Sequence, residues 1–435
     1  MATPEGKQSI GIVMTSAIVI GTIIGSGIFL LPVSLAPLGI NAPIAWVISG
    51  AGALCVAFAL SRIVRSDGGG LQSYIEAELG ATAGFVATFS LWVSGWAAMA
   101  STAVAAAAAI SWIVPQLSDP WSVGMVAIAT TVIITAINLR GVRAAGGFAV
   151  VTVALRILPL LAVIAAVLGM KAHHQPLAHL APTPITTDNL ATAVTLTLFA
   201  ILGFETGTAP VGKVRNPMRT IPLALMAGTS FCVLLYLLSS SSVSLILPPE
   251  AAAKSLSPYA DALKANWGEK AAQLAAIGVA IAAIGGLNSN LVCGGELGFS
   301  MGLRGDLPAI LGRVNRRNAP VISLLLASAL TIVLVLANTS GSTAELFIFV
   351  SLLTTTATLI VYLVGAMAAL RRPNSPAAKV AIGASILFSL FAFYGAGLKP
   401  SAWGIALVIA GLAIRWFCHR ASRSRSGSSL AAEAS

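Results

Sequence analysis

The sequence predicts an all-α polytopic membrane protein, and three observations carry that prediction. Charged side chains make up only 9% of the 435 residues, against about 25% in globular proteins. Apolar residues reach 57%, and mean hydropathy is +0.92. Apolar runs near the ~20 residues needed to cross a bilayer recur along the whole chain. A soluble fold has too few charges here to cover itself and too much apolar surface to hide. Soluble enzymes, disordered chains and fibrous proteins are excluded at this step.

Twelve runs read as spans: 9–36, 41–64, 82–114, 121–139, 147–169, 190–211, 221–247, 271–301, 319–338, 344–370, 377–398 and 401–418. The segment 1–8 is an N-terminal extension, 9–418 a single transmembrane domain, and 419–435 a serine- and arginine-dotted tail expected to be disordered. Gly50, Gly52 and Gly95 read as close-packing positions between spans. The loop 62–80 holds Gly68-Gly69-Gly70 and an amphipathic stretch, Leu71–Leu79, which reads as a short interfacial helix. It has neither the strand nor the lysine of a phosphate-cradling loop. His173, His174 and His179 lie in the loop 170–189, which reads as solvated rather than metal-binding. Cys55, Cys232, Cys293 and Cys418 sit in or beside apolar runs without CxxC spacing, so buried free thiols are expected. No metal and no cofactor is called for.

The net charge of +11 does not point to nucleic acid, because the basic residues fall between the hydrophobic runs. With the N-terminus inside, nineteen Lys and Arg fall in cytoplasmic segments and five in outer ones; Arg156 stays within the fifth span. By the positive-inside rule both termini are cytoplasmic, in the cell membrane.

Two spans are interrupted. The first reads Gly21-Thr22-Ile23-Ile24-Gly25-Ser26-Gly27, and the sixth Leu198-Phe199-Ala200-Ile201-Leu202-Gly203-Phe204-Glu205. Close packing explains isolated glycines, but three small residues in a row weaken the helix itself. Unwinding at mid-bilayer frees backbone groups that hydrocarbon cannot satisfy. The half-helix after a break presents N–H groups and suits a carboxylate; the half-helix before it presents carbonyls and suits an ammonium. Two facing breaks make a site for a zwitterion. Their separation fits two inverted five-span repeats, about 9–169 and 190–370, with spans eleven and twelve (about 377–418) added.

At Gly21–Pro32, and at Phe199–Ala224 with its Lys213–Pro222 segment, the chain resembles the amino acid–polyamine–organocation transporters. Within them it looks most like the bacterial basic amino acid/polyamine antiporters of the arginine/agmatine type. The resemblance implies a leucine-transporter-type fold and a small amine or amino acid as substrate; similar transporters are often homodimers or monomers. In similar transporters the substrate carboxylate meets the Ser26 hydroxyl and Gly27 N–H. The amino group meets carbonyls of Ile23, Phe199 and Leu202. Phe199 stands where the family often places an aromatic gate, the alternative being a core phenylalanine. Glu205, ionisable at membrane depth, is either a proton or gate switch or an acceptor tying down broken backbone. Asn290 aligns where arginine antiporters carry a tryptophan, which puts arginine itself in question. Glu296 suits a cationic side chain or helix packing. Arg156 lies about nine residues from Gly147, roughly 13 Å along a helix, which makes snorkelling awkward. It matches the position of a lysine that replaces sodium in sodium-independent relatives. As an arginine it does not give up its proton, which favours exchange over proton symport.

No span carries aspartate or paired catalytic groups, so an intramembrane enzyme is not expected. No carbonyl filter motif or charge ring suggests a channel. A sensor that keeps the site and loses flux stays open until flux is measured. Two substrate classes also stay open: cationic amino acids or polyamines, from overall likeness and carboxylates at depth, and small neutral amino acids, from the missing tryptophan and the slim Ala97, Ala98 and Met99.

Overall fold

The computed structural model describes residues 11–25, 27–64, 70–140, 143–205, 214, 216–316, 318–337 and 341–433. Its α-helices are, in order, α1 (Ile12–Ile23), α2 (Gly27–Leu35), α3 (Asn41–Ile63), α4 (Gly70–Leu79), α5 (Ala81–Ile113), α6 (Pro120–Leu139), α7 (Arg143–Ala172), α8 (Thr187–Ile201), α9 (Pro217–Ile246), α10 (Pro249–Lys254), α11 (Pro258–Trp267), α12 (Glu269–Leu303), α13 (Val321–Leu336), α14 (Thr343–Arg371), α15 (Pro376–Gly395) and α16 (Leu398–Glu433). Among the described residues nine helices are long and apolar enough to cross a membrane, or ten with the bent α1–α2 pair taken as one span. Two shorter apolar helices, α8 and α13, stand where the sixth and ninth spans are expected.

Span ends follow the sequence closely. α3, α5, α14 and α15 begin and end within three residues of expectation, because hydropathy, caps and prolines agree there. Ser342 and Glu345 form a reciprocal capping box at the start of α14. α4 covers the expected interfacial helix.

Three features differ. The tail, expected to be disordered, continues α16 as helix to Glu433; it contains no proline, and its Ala and Arg residues favour helix. Two short helices, α10 and α11, went unpredicted. Each starts with a proline at its first position, Pro249 and Pro258, and each is too short to cross. The sixth span stops as helix at Ile201, and residues 206–213 lie outside the described residues.

The interior divides into two apolar clusters. One gathers α1, α3, α8 and α9; the other gathers α5, α6, α12 and α13. Leu202 packs against both. Neighbours are α1 with α9, α3 with α8, α5 with α12 and α14, α7 with α12, and α6 with α13. Hydroxyl pairs between buried residues stitch helices together. Ser94 meets Thr358 at 2.7 Å, Thr135 meets Ser328 at 2.7 Å, and Ser49 meets Thr197.

Candidate functional site

Two helix ends build the site. α1 stops at Ile23. Ile24 (φ −71°, ψ 76°) then closes an inverse γ-turn, in which the Gly25 N–H donates to the Ile23 carbonyl at 2.6 Å. The chain restarts as α2 at Gly27, bent by 48°. Ser26 lies outside the described residues. α8 stops at Ile201, Leu202 is extended, and Gly203 takes φ +114°, a conformation open in practice to glycine.

The breaks are fitted to each other. A Cβ on Gly203 would stand 2.5 Å from the Thr22 carbonyl oxygen, and a Cβ on Gly27 would stand 2.7 Å from Cε1 of Phe199. The Phe199 ring meets Phe347 edge-on at 5.9 Å. Between the breaks lies a cavity of about 110 Å³, lined by Ile23, Gly27, Phe199, Leu202, Asn290 and Glu205. Arg156 also lines it. α12 contributes Gly286, Ser289, Asn290 and Cys293 to the lining, one face at helical spacing.

Arg156 does not snorkel. It is 2% exposed, and its Nη1 donates to the carbonyls of Ile24 at 2.8 Å and Gly21 at 3.3 Å. A guanidinium therefore sits on the carbonyl end of α1, where the helix dipole favours a cation. The Tyr236 hydroxyl donates to the Ile23 carbonyl at 3.0 Å. This changes the expectation for Ile23. Its carbonyl has two lone pairs, and the Gly25 N–H and Tyr236 hydroxyl already engage both. On the other side, the Phe199 carbonyl accepts the Leu202 N–H at 3.3 Å, which leaves that oxygen one lone pair. The open acceptor at the breaks is thus on the α8 side, at the Phe199 carbonyl.

Glu205 is 4% exposed. Its carboxylate accepts the Gly203 N–H at 3.1 and 3.2 Å and the Tyr362 hydroxyl at 2.9 Å. The Phe204 ring stacks on Tyr362 at 5.3 Å. The carboxylate thus ties the second break to α14. Glu296 is not in the cavity lining; it is exposed, about one turn beyond Cys293 on α12. Its charge lies in the right helix but past the cavity, a distance that helix periodicity alone does not resolve.

Sequence reasoning missed Tyr236 and Tyr362. The available signal was scarcity: the chain has five tyrosines, and these two interrupt apolar runs with a hydroxyl that needs a partner. No cluster of three or more His, Cys, Asp or Glu suited to a metal occurs among the described residues.

Residues 10–414 match the amino acid permease family. The chain belongs to that family. This permease is 30% identical over 352 residues to the cadaverine/lysine antiporter of Escherichia coli K12, which covers 78% of each chain. It is 25% identical over 428 residues to the putrescine transporter PotE of Haemophilus influenzae, covering 94% of the permease and 97% of that relative. The Escherichia coli PotE is 24% identical over 437 residues, with 93% and 95% covered. The relatives are transporters, and the permease is a multi-pass membrane protein of the same kind.

Proposed function

We propose that this permease is a sodium-independent exchanger of cationic amino acids and polyamines in the cytoplasmic membrane. The observation that carries the reading is the cavity between the two breaks, with a fixed cation, Arg156, on one side and a buried carboxylate, Glu205, on the other. Relatives named for lysine, cadaverine and putrescine support the same substrate class.

The substrate carboxylate, where there is one, meets the N-terminal end of α2 at Ser26 and Gly27. The ammonium turns to the open carbonyls at Phe199 and Leu202, since Ile23 is engaged. Asn290 contacts the side chain from α12. Phe199 closes over the site, and Glu205 serves as the gate-linked carboxylate facing the distal cation; Glu296 acts beyond the site, on the path to it. Arg156 fills the place of a coupling cation and holds a permanent charge there.

Two inverted five-span repeats within twelve spans agree with the helix neighbours. Advancing α1 against α9 by five spans gives α8 against α3, and advancing α5 against α14 gives α12 against α7. The two apolar clusters divide into a mobile bundle and a scaffold that rock about the site.

The test is counterflow. Proteoliposomes are loaded with unlabelled lysine, cadaverine, putrescine or alanine, without sodium or a pH gradient, and uptake of labelled lysine is followed. Uptake is expected with the cationic loads and not with alanine or empty vesicles. Uptake into empty vesicles that requires an ion gradient overturns exchange, and uptake driven by alanine moves the substrate class to neutral amino acids.

A further inference from the structure

We propose that the cavity between the start of α5 and the end of α16 binds the phosphate of an anionic phospholipid headgroup. This cavity, of about 710 Å³, is separate from the one between the helix breaks and is lined by Ala81, Thr82, Arg415, Trp416, His419 and Arg420. Four features combine in it.

The first is charge. Arg415 donates from Nε to Asp306 at 2.7 Å and from Nη1 to the Thr82 hydroxyl at 3.1 Å. The Arg415 charge is thus balanced and its plane held in place. His419 Nε2 lies 3.5 Å from the same carboxylate. Arg420 has no carboxylate partner among the described residues. It is the surplus cation of the cavity. The nearby Glu76 and Glu78 of α4 are paired with Arg304 and Arg372, so they do not cancel it.

The second is preorganisation. The Arg420 guanidinium lies over the Trp416 ring, 5.1 Å from its centre, and Arg415 lies 5.0 Å from the Phe85 ring. Stacked guanidinium groups lose less freedom when they bind a phosphate. The third is backbone. α5 begins after Gly80, which offers no side-chain cap, so the first-turn N–H groups at Ala81 and Thr82, which line the cavity, are open to an anion.

The fourth is location, and it selects a lipid over a soluble phosphate. The cavity stands at the end of the apolar window of α16, Leu398–Arg420, beside an exposed Trp416 and Phe417. Aromatic rings at that depth mark the headgroup layer, and basic pockets between spans on the cytoplasmic side recognise anionic headgroups.

The full-length protein is purified in detergent and mixed with phosphatidylglycerol or phosphatidylcholine, and retained lipid is read by native mass spectrometry. Retention of phosphatidylglycerol over phosphatidylcholine is expected. It falls about fivefold in Arg420→Gln. Arg420→Lys keeps most of it, and Lys379→Gln, an exposed basic residue on α15, leaves it unchanged. Arg420 is exposed, so its removal does not threaten folding. Equal retention of both lipids, no effect of Arg420→Gln, or an equal loss in Lys379→Gln overturns the site. Displacement of phosphatidylglycerol by millimolar inorganic phosphate assigns the cavity to a soluble phosphate and overturns the lipid assignment.

Discussion

At the level of one residue, Arg156 closes the carbonyl end of a broken helix with a guanidinium. Its Nη1 engages the Gly21 and Ile24 carbonyls. Arg156→Met leaves both without a donor, at about 1–3 kcal/mol for each buried group. Exchange in this variant is expected below a tenth of the wild-type rate, a loss of at least about 1.4 kcal/mol in transition-state stabilisation. Sodium is expected to restore part of it, because the exposed carbonyl pair then suits a metal cation. Counterflow with and without sodium chloride measures both, and a wild-type rate in Arg156→Met removes the role. A second prediction concerns Gly27. Gly27→Ala pushes a methyl into the Phe199 ring, which Phe347 backs edge-on. The variant is expected to fold and to exchange about tenfold more slowly. Phe199→Leu on top of it makes room and recovers part of the rate. A double variant no faster than Gly27→Ala would falsify the steric account.

At the level of the helix, α5 and α12 set the width of the cavity by close backbone approach. A Cβ on Gly95 stands 3.9 Å from the Gly294 Cα, an ordinary contact. Gly95→Ala is therefore expected to keep stability and transport. Gly95→Leu projects a whole side chain into a cavity of about 110 Å³ and is expected to abolish exchange with little loss of folded protein, read by binding assay beside size-exclusion profile. The contact between α14 and the second break is different in kind. Tyr362→Phe removes one donor from the buried Glu205 carboxylate and is expected to cost about 1–3 kcal/mol of stability, visible as a lower denaturation midpoint. These contacts also mark what the sequence makes readable. Most of the long spans, and the helix ends at Ile23 and Ile201, are legible, because hydropathy and glycine runs act locally. Arg156 was legible as a charge out of place. Its partners were not, nor was Tyr362 as the donor to Glu205: 157 residues separate that pair, and no local pattern encodes such a meeting. The engagement of the Ile23 carbonyl is unreadable for the same reason, since Tyr236, which donates to it, lies 213 residues away.

For the molecule as a whole, orientation follows from the cost of moving charge across the bilayer. Placing Arg or Lys at mid-membrane costs about 2.5–3.5 kcal/mol on insertion scales, and short basic loops stay inside. Nineteen basic residues lie in the segments assigned to the cytoplasm and five outside. The structure gathers several of the nineteen on one face: Arg304 pairs with Glu76 at 3.1 Å, Arg372 with Glu78 at 2.7 Å, and Arg415 with Asp306 at 2.7 Å. The exposed loop after α7, around Gln175, belongs to the opposite face in this assignment. A cysteine at Gln175 is therefore expected to react with a membrane-impermeant maleimide in intact cells. Native Cys418, one residue from His419, which approaches Asp306, is expected to react only after permeabilisation. The reverse pattern would invert the molecule and would place the basic cavity at α5 and α16 on the outer leaflet, where the positive-inside logic that assigns its lipid no longer applies.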